Sequence, residues 1–411
     1  MASVGTNWSG FHAYEAAVLH HPTSVAEVQE LVARAPRIRA LGSRHSFSAM
    51  ADSAELVSLD ALPPDIRIDP DTETVSFSAG MLYGELGTAL QAEGWALRNL
   101  ASLPHISVAG AIATATHGSG VHNGTLARAV AGLELVTASG ELLTVGPADD
   151  RFDGSIVSLG ALGIVTRITL DIEPTFDVRQ DVYEGLTWPL LLENFDAIMS
   201  RAYSVSVFTD WRGELVGRVW LKSVISAARP PGEVYGARPV EGPRHPIANA
   251  DPINTTQQLG VPGAWIDRLP HFRLEFTPSN GEELQSEYLV PRRHAIAAIE
   301  AVRALGPRIT PLLHVSELRC IAADSLWLSG AYETDAMGIH FTWHFEPDAV
   351  LALLPVVEEA LAPFGARPHW GKLFHEVDRS LYPRLDDFVA LAEQLDPERK
   401  FGNEWLERYV Y

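Results

Sequence analysis

With 411 residues and a formal net charge of −21, the chain is long enough for two cores and too acidic to carry the basic footprint that nucleic-acid binding needs. The same charge disfavours a polyanionic substrate and suits a neutral small molecule. A single cysteine, Cys320, excludes an internal disulfide, which fits a reducing compartment. Residues 23–35 predict the first helix: Ser24 and Glu27 stand at capping-box spacing, Val28, Leu31 and Val32 make an apolar stripe, and Pro36 ends it. Ile38–Leu41 reads as a short strand feeding the loop Ala40, Leu41, Gly42, Ser43, Arg44, His45, Ser46, Phe47. Gly42 permits a backbone shape that a Cβ would forbid. Successive N–H groups there make an anion nest, with Arg44 as added counter-charge and His45 as a nucleophilic imidazole. Taken alone, the stretch reads equally well as a surface turn.

Residues 55–79 read as short strands, and Met81–Glu93 as a helix closed by Gly94. From Ser107 the chain is almost entirely Gly, Ala, Ser and Thr. Such residues let a helix N-terminus approach a diphosphate closely; a tightly packed core helix is the alternative. A Rossmann reading fails, because Gly118 to Gly124 is one residue too long for G-x-G-x-x-G and follows a small-residue helix rather than a strand. Residues 131–145 predict a hairpin, Phe152–Leu159 a helix and Ile164–Ile172 a strand. The character changes at Glu173-Pro174, which places domains at 1–174 and 175–376 and a carboxy-terminal segment at 377–411.

The second part predicts strands around 176–182 and 205–224 with a helix between them. Residues 226–270 form a long Pro- and Gly-rich stretch that reads as a functional loop or lid. Helices follow at Arg292–Leu305, Pro347–Leu361 and Asp386–Leu395. On the strand Gly338–Phe345, period two puts His340, Thr342 and His344 on one face and Ile339, Phe341, Trp343 and Phe345 on the other. Glu317 and Arg319 likewise share one side of a second strand. Carboxylate, guanidinium, hydroxyl and imidazole groups on one cavity wall suit a polyol; a surface ion pair and a water-facing strand are the bland alternatives. Lys372, in His369-Trp-Gly-Lys, sits in a tight, partly buried turn; alone it would read as a solvated loop lysine. No third ligand makes His340 and His344 a metal site.

The two small-residue loops, read together, resemble the paired pyrophosphate loops of the vanillyl-alcohol-oxidase-type (PCMH-type) flavoproteins. Within that superfamily the chain resembles the alditol oxidases over essentially its whole length. The resemblance implies an α+β fold of two domains: an FAD-binding domain of two α+β subdomains, and a substrate domain with an antiparallel sheet covered by helices, the 377–411 segment returning to the first. It implies FAD bound covalently through His45. Cofactor contacts are implied from residues 40–46 and from Ser102, Ser107, Gly110, Thr114, Ala115, Thr116, His117, Ile164 and His369. Ser102, Glu317, Arg319, Thr342 and Lys372 are implied as substrate-binding, and Lys372 and His340 as catalytic, with the individual base left open. Ala101 falls where a small residue controls oxygen access in the superfamily.

The implied reaction is oxidation of the terminal primary hydroxyl of xylitol or sorbitol to the aldose, with dioxygen reduced to hydrogen peroxide and no metal. An aldonolactone oxidoreductase and a non-catalytic flavin- or sugar-binding protein are the rival readings. The amino end lacks a basic region before an apolar core, and no apolar run approaches ~18 residues, so a cytoplasmic monomer without membrane contact is expected.

Overall fold

The computed structural model describes residues 4–227, 232–276 and 282–411. Residues 1–3 of the amino end and 228–231 of the Pro- and Gly-rich stretch lie outside the described residues. The architecture is α+β. The first helix spans Val25–Arg34, with Ser24 accepting the Glu27 N–H and Val28, Leu31 and Val32 buried. The reciprocal arm of the capping box falls one residue early: Glu27 accepts the backbone N–H of Thr23, at 2.7 Å.

A small parallel sheet orders Val18–His20, Glu55–Val57 and Ile38–Ala40. A five-stranded antiparallel sheet orders Arg67–Asp69, Thr74–Ser78, Ile164–Asp171, Val130–Val136 and Leu142–Val145. Trp95–Ala96 pairs with Glu173–Pro174 as a two-stranded ribbon, and a nine-stranded antiparallel sheet forms the rest, with Asp177–Glu184, Arg218–Val224, Ser204–Thr209, Leu313–Ile321, Ala336–His344 and Glu283–Pro291 as its main path. The predicted 205–224 strand is thus two strands joined by a turn.

Alternation decides the two faces of that large sheet. Ile339, Phe341 and Trp343 are fully buried in a core shared with the helices Ala295–Ala304 and Pro347–Leu361. The opposite face carries Glu287, Glu317, Arg319, His340 and Thr342, and it is buried as well. Cys320 is also buried in this sheet. The carboxy-terminal segment packs on the first half of the chain. Lys400 donates to Val32 and Ala138 carbonyls at 2.6 and 3.0 Å, and Asn403 Nδ2 to the carbonyls of Ala49, Met50 and Asp52. Among the described residues no helix is long and apolar enough to cross a membrane.

Candidate active site

The strand Ile38–Ala40 delivers the first loop to the wall of a cavity, and Ser107 starts the short helix Val108–Ala113 beside it. The two are clasped by their serines. Ser107 N–H donates to Ser43 Oγ at 2.9 Å, and Ser43 N–H to Ser107 Oγ at 3.3 Å. Each hydroxyl thereby satisfies an N–H that a loop or helix start leaves without a partner. Gly42 is needed for this approach, since a Cβ there would lie 2.3 Å from Ser107 Oγ. The expected unusual backbone is not at Gly42: the positive φ, 61°, belongs to Arg44. Nor does the Arg44 guanidinium face the clasp. It donates to Val4 O at 2.8 Å and lies over the Tyr14 ring.

His45 Nδ1 lies 3.1 Å from Ser43 Oγ, and its ring stacks on Trp8 with centroids 5.5 Å apart. Burial pulls its pKa down to about 4, so the imidazole is neutral, the form a nucleophile requires. The amino-terminal segment braces the loop from outside. Trp8 N–H donates to Arg44 O at 2.8 Å, and Asn7 Nδ2 to Ser46 O at 2.9 Å.

Across the cavity, register sets the chemistry. Glu287 pairs with His340, and His340 with Glu317, so three titratable side chains stand abreast on three strands. Arg319 bridges the two carboxylates, with Nη2 3.2 Å from Glu287 Oε1 and Nε 3.6 Å from Glu317 Oε2, and its Nη1 donates to Ser102 Oγ at 3.3 Å. Opposite Arg319 stands Gly338, where a Cβ would come within 2.8 Å of Glu287 Oε1. Its missing side chain is the gap through which Glu287 and Arg319 meet. Burial raises the pKa of Glu287, but Lys372, His117 and Arg319 outweigh it and hold the carboxyl well below its usual range. Glu317 behaves alike: Arg319 and His271 overcome its burial and hold it low. These are paired buried charges, whose loss of one partner is costly.

Lys372 reaches the same cluster from the turn His369–Lys372. His369 N–H donates to Glu287 O and Leu373 N–H to Gln285 O, both at 2.9 Å, which staples the turn to the strand edge. Lys372 Nζ donates to Glu287 Oε2 and to His340 Nδ1, the latter at 2.8 Å. His340 Nδ1 is therefore an acceptor, and its Nε2–H donates to Thr342 Oγ1 at 3.1 Å. Burial first, then the Lys372 charge, lowers His340 to about 4. Burial also lowers Lys372, against the opposing pull of Glu287. His369 Nδ1 accepts the Gly371 N–H at 3.1 Å, and burial, then Lys372, keeps its ring neutral. His117 Nε2 lies 3.2 Å from Glu287 Oε1 but off the line of a hydrogen bond.

One cavity of about 820 Å³ joins both walls. Every predicted site residue borders it except Ala115 and Ile164. Ala115 is buried with φ of 52°, turning the chain behind the cavity, and the Ile164 side chain enters the core while Gly163 and Val165 reach the wall. Sequence reasoning missed Glu287, Lys222 and His271. Lys222 Nζ donates to Leu269 O and Pro270 O and lies 3.2 Å from His271 Nδ1, whose Nε2 is 2.9 Å from Glu317 Oε1. The alternation Glu283, Gln285, Glu287 was the one available signal. Among the described residues no group of three or more His, Cys, Asp or Glu could hold a metal ion.

Known proteins resemble the chain at several levels. Residues 16–146 match the family model described as an FAD binding domain, and residues 279–409 that of D-arabinono-1,4-lactone oxidase. An alditol oxidase of Streptomyces sp. (strain IKD472 / FERM P-14339) is 46% identical, the alignment covering 99% of each chain. An L-gulono-1,4-lactone dehydrogenase of Mycobacterium tuberculosis is 28% identical over 100% of each. The crystal structure of cholesterol oxidase from B. sterolicum superposes with a TM-score of 0.80 over 99% of this chain and 96% of that one; at 16% identity this bears on the fold alone.

Proposed function

The chain belongs to the alditol oxidase family, and on that premise we propose that it oxidises the terminal primary hydroxyl of xylitol or sorbitol to the aldose, with FAD held covalently by His45. The fit to FAD rests on the cavity: about 820 Å³ lies within the ~300–1,000 Å³ of small-molecule sites, and one end is lined by backbone, hydroxyls and small side chains. Ser43, Ser107, Gly110, Thr114 and Thr116 would hold the diphosphate end there, and His117 and His369 the ring end, beside the charged cluster. Bound FAD supplies the two-electron acceptor for the alcohol carbon, and dioxygen takes the electrons in turn as hydrogen peroxide.

The observation that carries the reading is the Lys372–Glu287–His340 contact facing Glu317, Arg319, Thr342 and Ser102 in one buried space. Two Lys372 protons are engaged by Glu287 and His340, and the third is available to the substrate's terminal oxygen. Passing one of its protons to the neutral His340 Nδ1 leaves Lys372 Nζ a lone pair, which takes the proton of that hydroxyl, so the charge moves to His340 and no proton is left over. We assign the base function to the Lys372–His340 pair. Ser102, Glu317, Arg319 and Thr342 bind the remaining hydroxyls and hold the carbon at attack distance. Ala101 borders the same cavity and is the small residue beside Ser102.

An oxygen-electrode comparison of xylitol, sorbitol and a gulonolactone tests the proposal, with peroxide assayed alongside. Alditol turnover with one peroxide per aldose is expected. Faster turnover of the lactone would favour an aldonolactone oxidoreductase, the reading that the 279–409 family match supports. Yellow colour that survives acid precipitation, and is lost in His45→Ala, tests the covalent link.

A further inference from the structure

Lys222 is a lysine with 1% exposure in the middle of the strand Arg218–Val224. Its three donors have three acceptors: Leu269 O at 2.5 Å, Pro270 O at 2.9 Å and His271 Nδ1 at 3.2 Å. Burial pulls Lys222 well below its usual pKa against the pull of Glu317, but the His271 tautomer does not depend on the lysine's charge: the Glu317 carboxylate can only accept, which leaves Nδ1 as the acceptor facing Nζ. The ring proton then sits on Nε2, which donates to Glu317 Oε1 at 2.9 Å. Phe208 and Trp220 meet the His271 ring edge-on, with centroids 5.4 and 5.3 Å away, and fix its plane. Burial, then the Lys222 charge, lowers His271 to about 4, in keeping with a neutral ring.

The backbone at His271 does a second job. His271 and Phe272 N–H groups both converge on Ser102 O, at 3.1 and 3.3 Å, while Ser102 Oγ accepts from Arg319. Thr256 ties the segment down from behind: its N–H donates to His271 O at 2.9 Å and its hydroxyl to Pro270 O at 2.8 Å. The end of the Pro- and Gly-rich stretch is thus anchored against the cavity wall.

With Glu317 Oε1 taken by His271, Oε2 is left as the acceptor on the cavity side, 3.6 Å from Arg319 Nε, a donor that has no hydrogen-bond partner among the described residues. We propose that His271, held in register by Lys222, is a positioning residue that orients Glu317 to accept one internal hydroxyl of the alditol, and so sets recognition of that hydroxyl rather than the oxidation step. The inference rests on the alditol reading above. Lys222 and His271 act through Glu317; neither exchanges a proton with the substrate.

His271→Asn tests it. Asparagine still offers Lys222 an oxygen acceptor but is too short to reach Glu317. His271→Gln restores the reach, and His271→Ala removes both functions. Each variant is purified with FAD, its visible spectrum is checked, and kcat and KM are measured with xylitol and with its monodeoxy analogues. One hydrogen bond to a buried charge predicts a KM for xylitol raised at least ~10-fold in His271→Asn, with kcat within ~3-fold of wild type and partial rescue in His271→Gln. The analogue lacking the recognised hydroxyl should show no such rise, so the wild type's preference for xylitol over it shrinks by the same factor. A fall in kcat with unchanged KM, or unchanged discrimination among the deoxy analogues, overturns the proposal. If His271→Ala does not fold, the Asn and Gln pair carries the test. A wild-type protein that turns over no alditol sinks the functional reading instead, which keeps the two failures apart.

Discussion

On one side of the cavity the 40–47 loop and the 107–116 segment present backbone, hydroxyls and small side chains, clasped to each other through Ser43 and Ser107. On the other side three antiparallel strands present Glu287, His340, Glu317 and Arg319 shoulder to shoulder, with Lys372 arriving from a turn. In the proposed reading the first wall would meet the diphosphate with main-chain N–H groups, which a side-chain truncation leaves in place, so its sensitivity lies in sterics. The second would meet the alditol's hydroxyls with ionised side chains that neutralise one another, so deleting one leaves its partner buried and unpaired. The same cavity therefore holds a wall that is tuned by space and a wall that is tuned by charge.

The sharpest break comes on the charged side. Lys372→Ala should keep acid-stable yellow colour while kcat for xylitol falls ~10²–10⁴-fold, the usual contribution of a positioned proton-transfer group; unchanged turnover would remove Lys372 from the chemistry. Next is Gly338→Ala, whose new methyl would press on Glu287 Oε1. It should lower kcat about tenfold without loss of flavin, because a small misplacement of the cluster is enough. Flavin loss there would mean the two walls are not separable.

Gly42→Ala makes the mirror-image test. The Cβ would overlap Ser107 Oγ and part the serine clasp, at a cost of about 1–3 kcal/mol typical of overpacking. Reduced FAD uptake and a lower Tm are expected, with kcat per bound flavin close to wild type. The smallest effect is in acid. His271 and His340 are pulled by burial from 6.5 to about 4. Between those values the unfolded chain binds more protons than the folded one, so stability is full above pH 6.5 and declines as pH falls toward 4. Thermal unfolding across that range should show the decline, and His271→Asn should flatten it by about one proton's worth of slope.

The two walls also differ in how far they could be read from residues alone. The loop at 40–47 and the small-residue run from Ser107 are contiguous, so their chemistry is written in one line of sequence. Glu317 with Arg319, and His340 with Thr342, were legible from strand alternation. Glu287 was not, because Glu283, Gln285 and Glu287 look like the wet side of a half-exposed strand. Glu287 is buried, with Glu283 and Gln285 half-buried beside it, because the His369–Lys372 turn and the first loop close over that edge, where Phe47 N–H donates to Gly371 O. Lys222 sits in the apolar run Val219–Val224, and nothing local says that carbonyls 47 and 48 residues away will receive its ammonium. The positive φ went to Arg44 rather than Gly42 because the glycine's use is close approach to Ser107, a contact 65 positions distant. What escaped was register and long-range closure, not residue chemistry.

Cys320 bears on how long such a catalyst lasts. Each turnover of the proposed reaction releases peroxide next to the polypeptide, and the side chain most vulnerable to it is an ionised sulfur. Burial pushes the Cys320 thiol up to about 12, and 1% of its surface is open to solvent. It stays protonated and shut away from its own product, so sulfenic acid formation and cross-linking of chains through sulfur are closed as routes of self-inflicted ageing. Wear during prolonged turnover must begin at some other side chain, and an alkylating reagent should extend the working life of the native protein by nothing measurable.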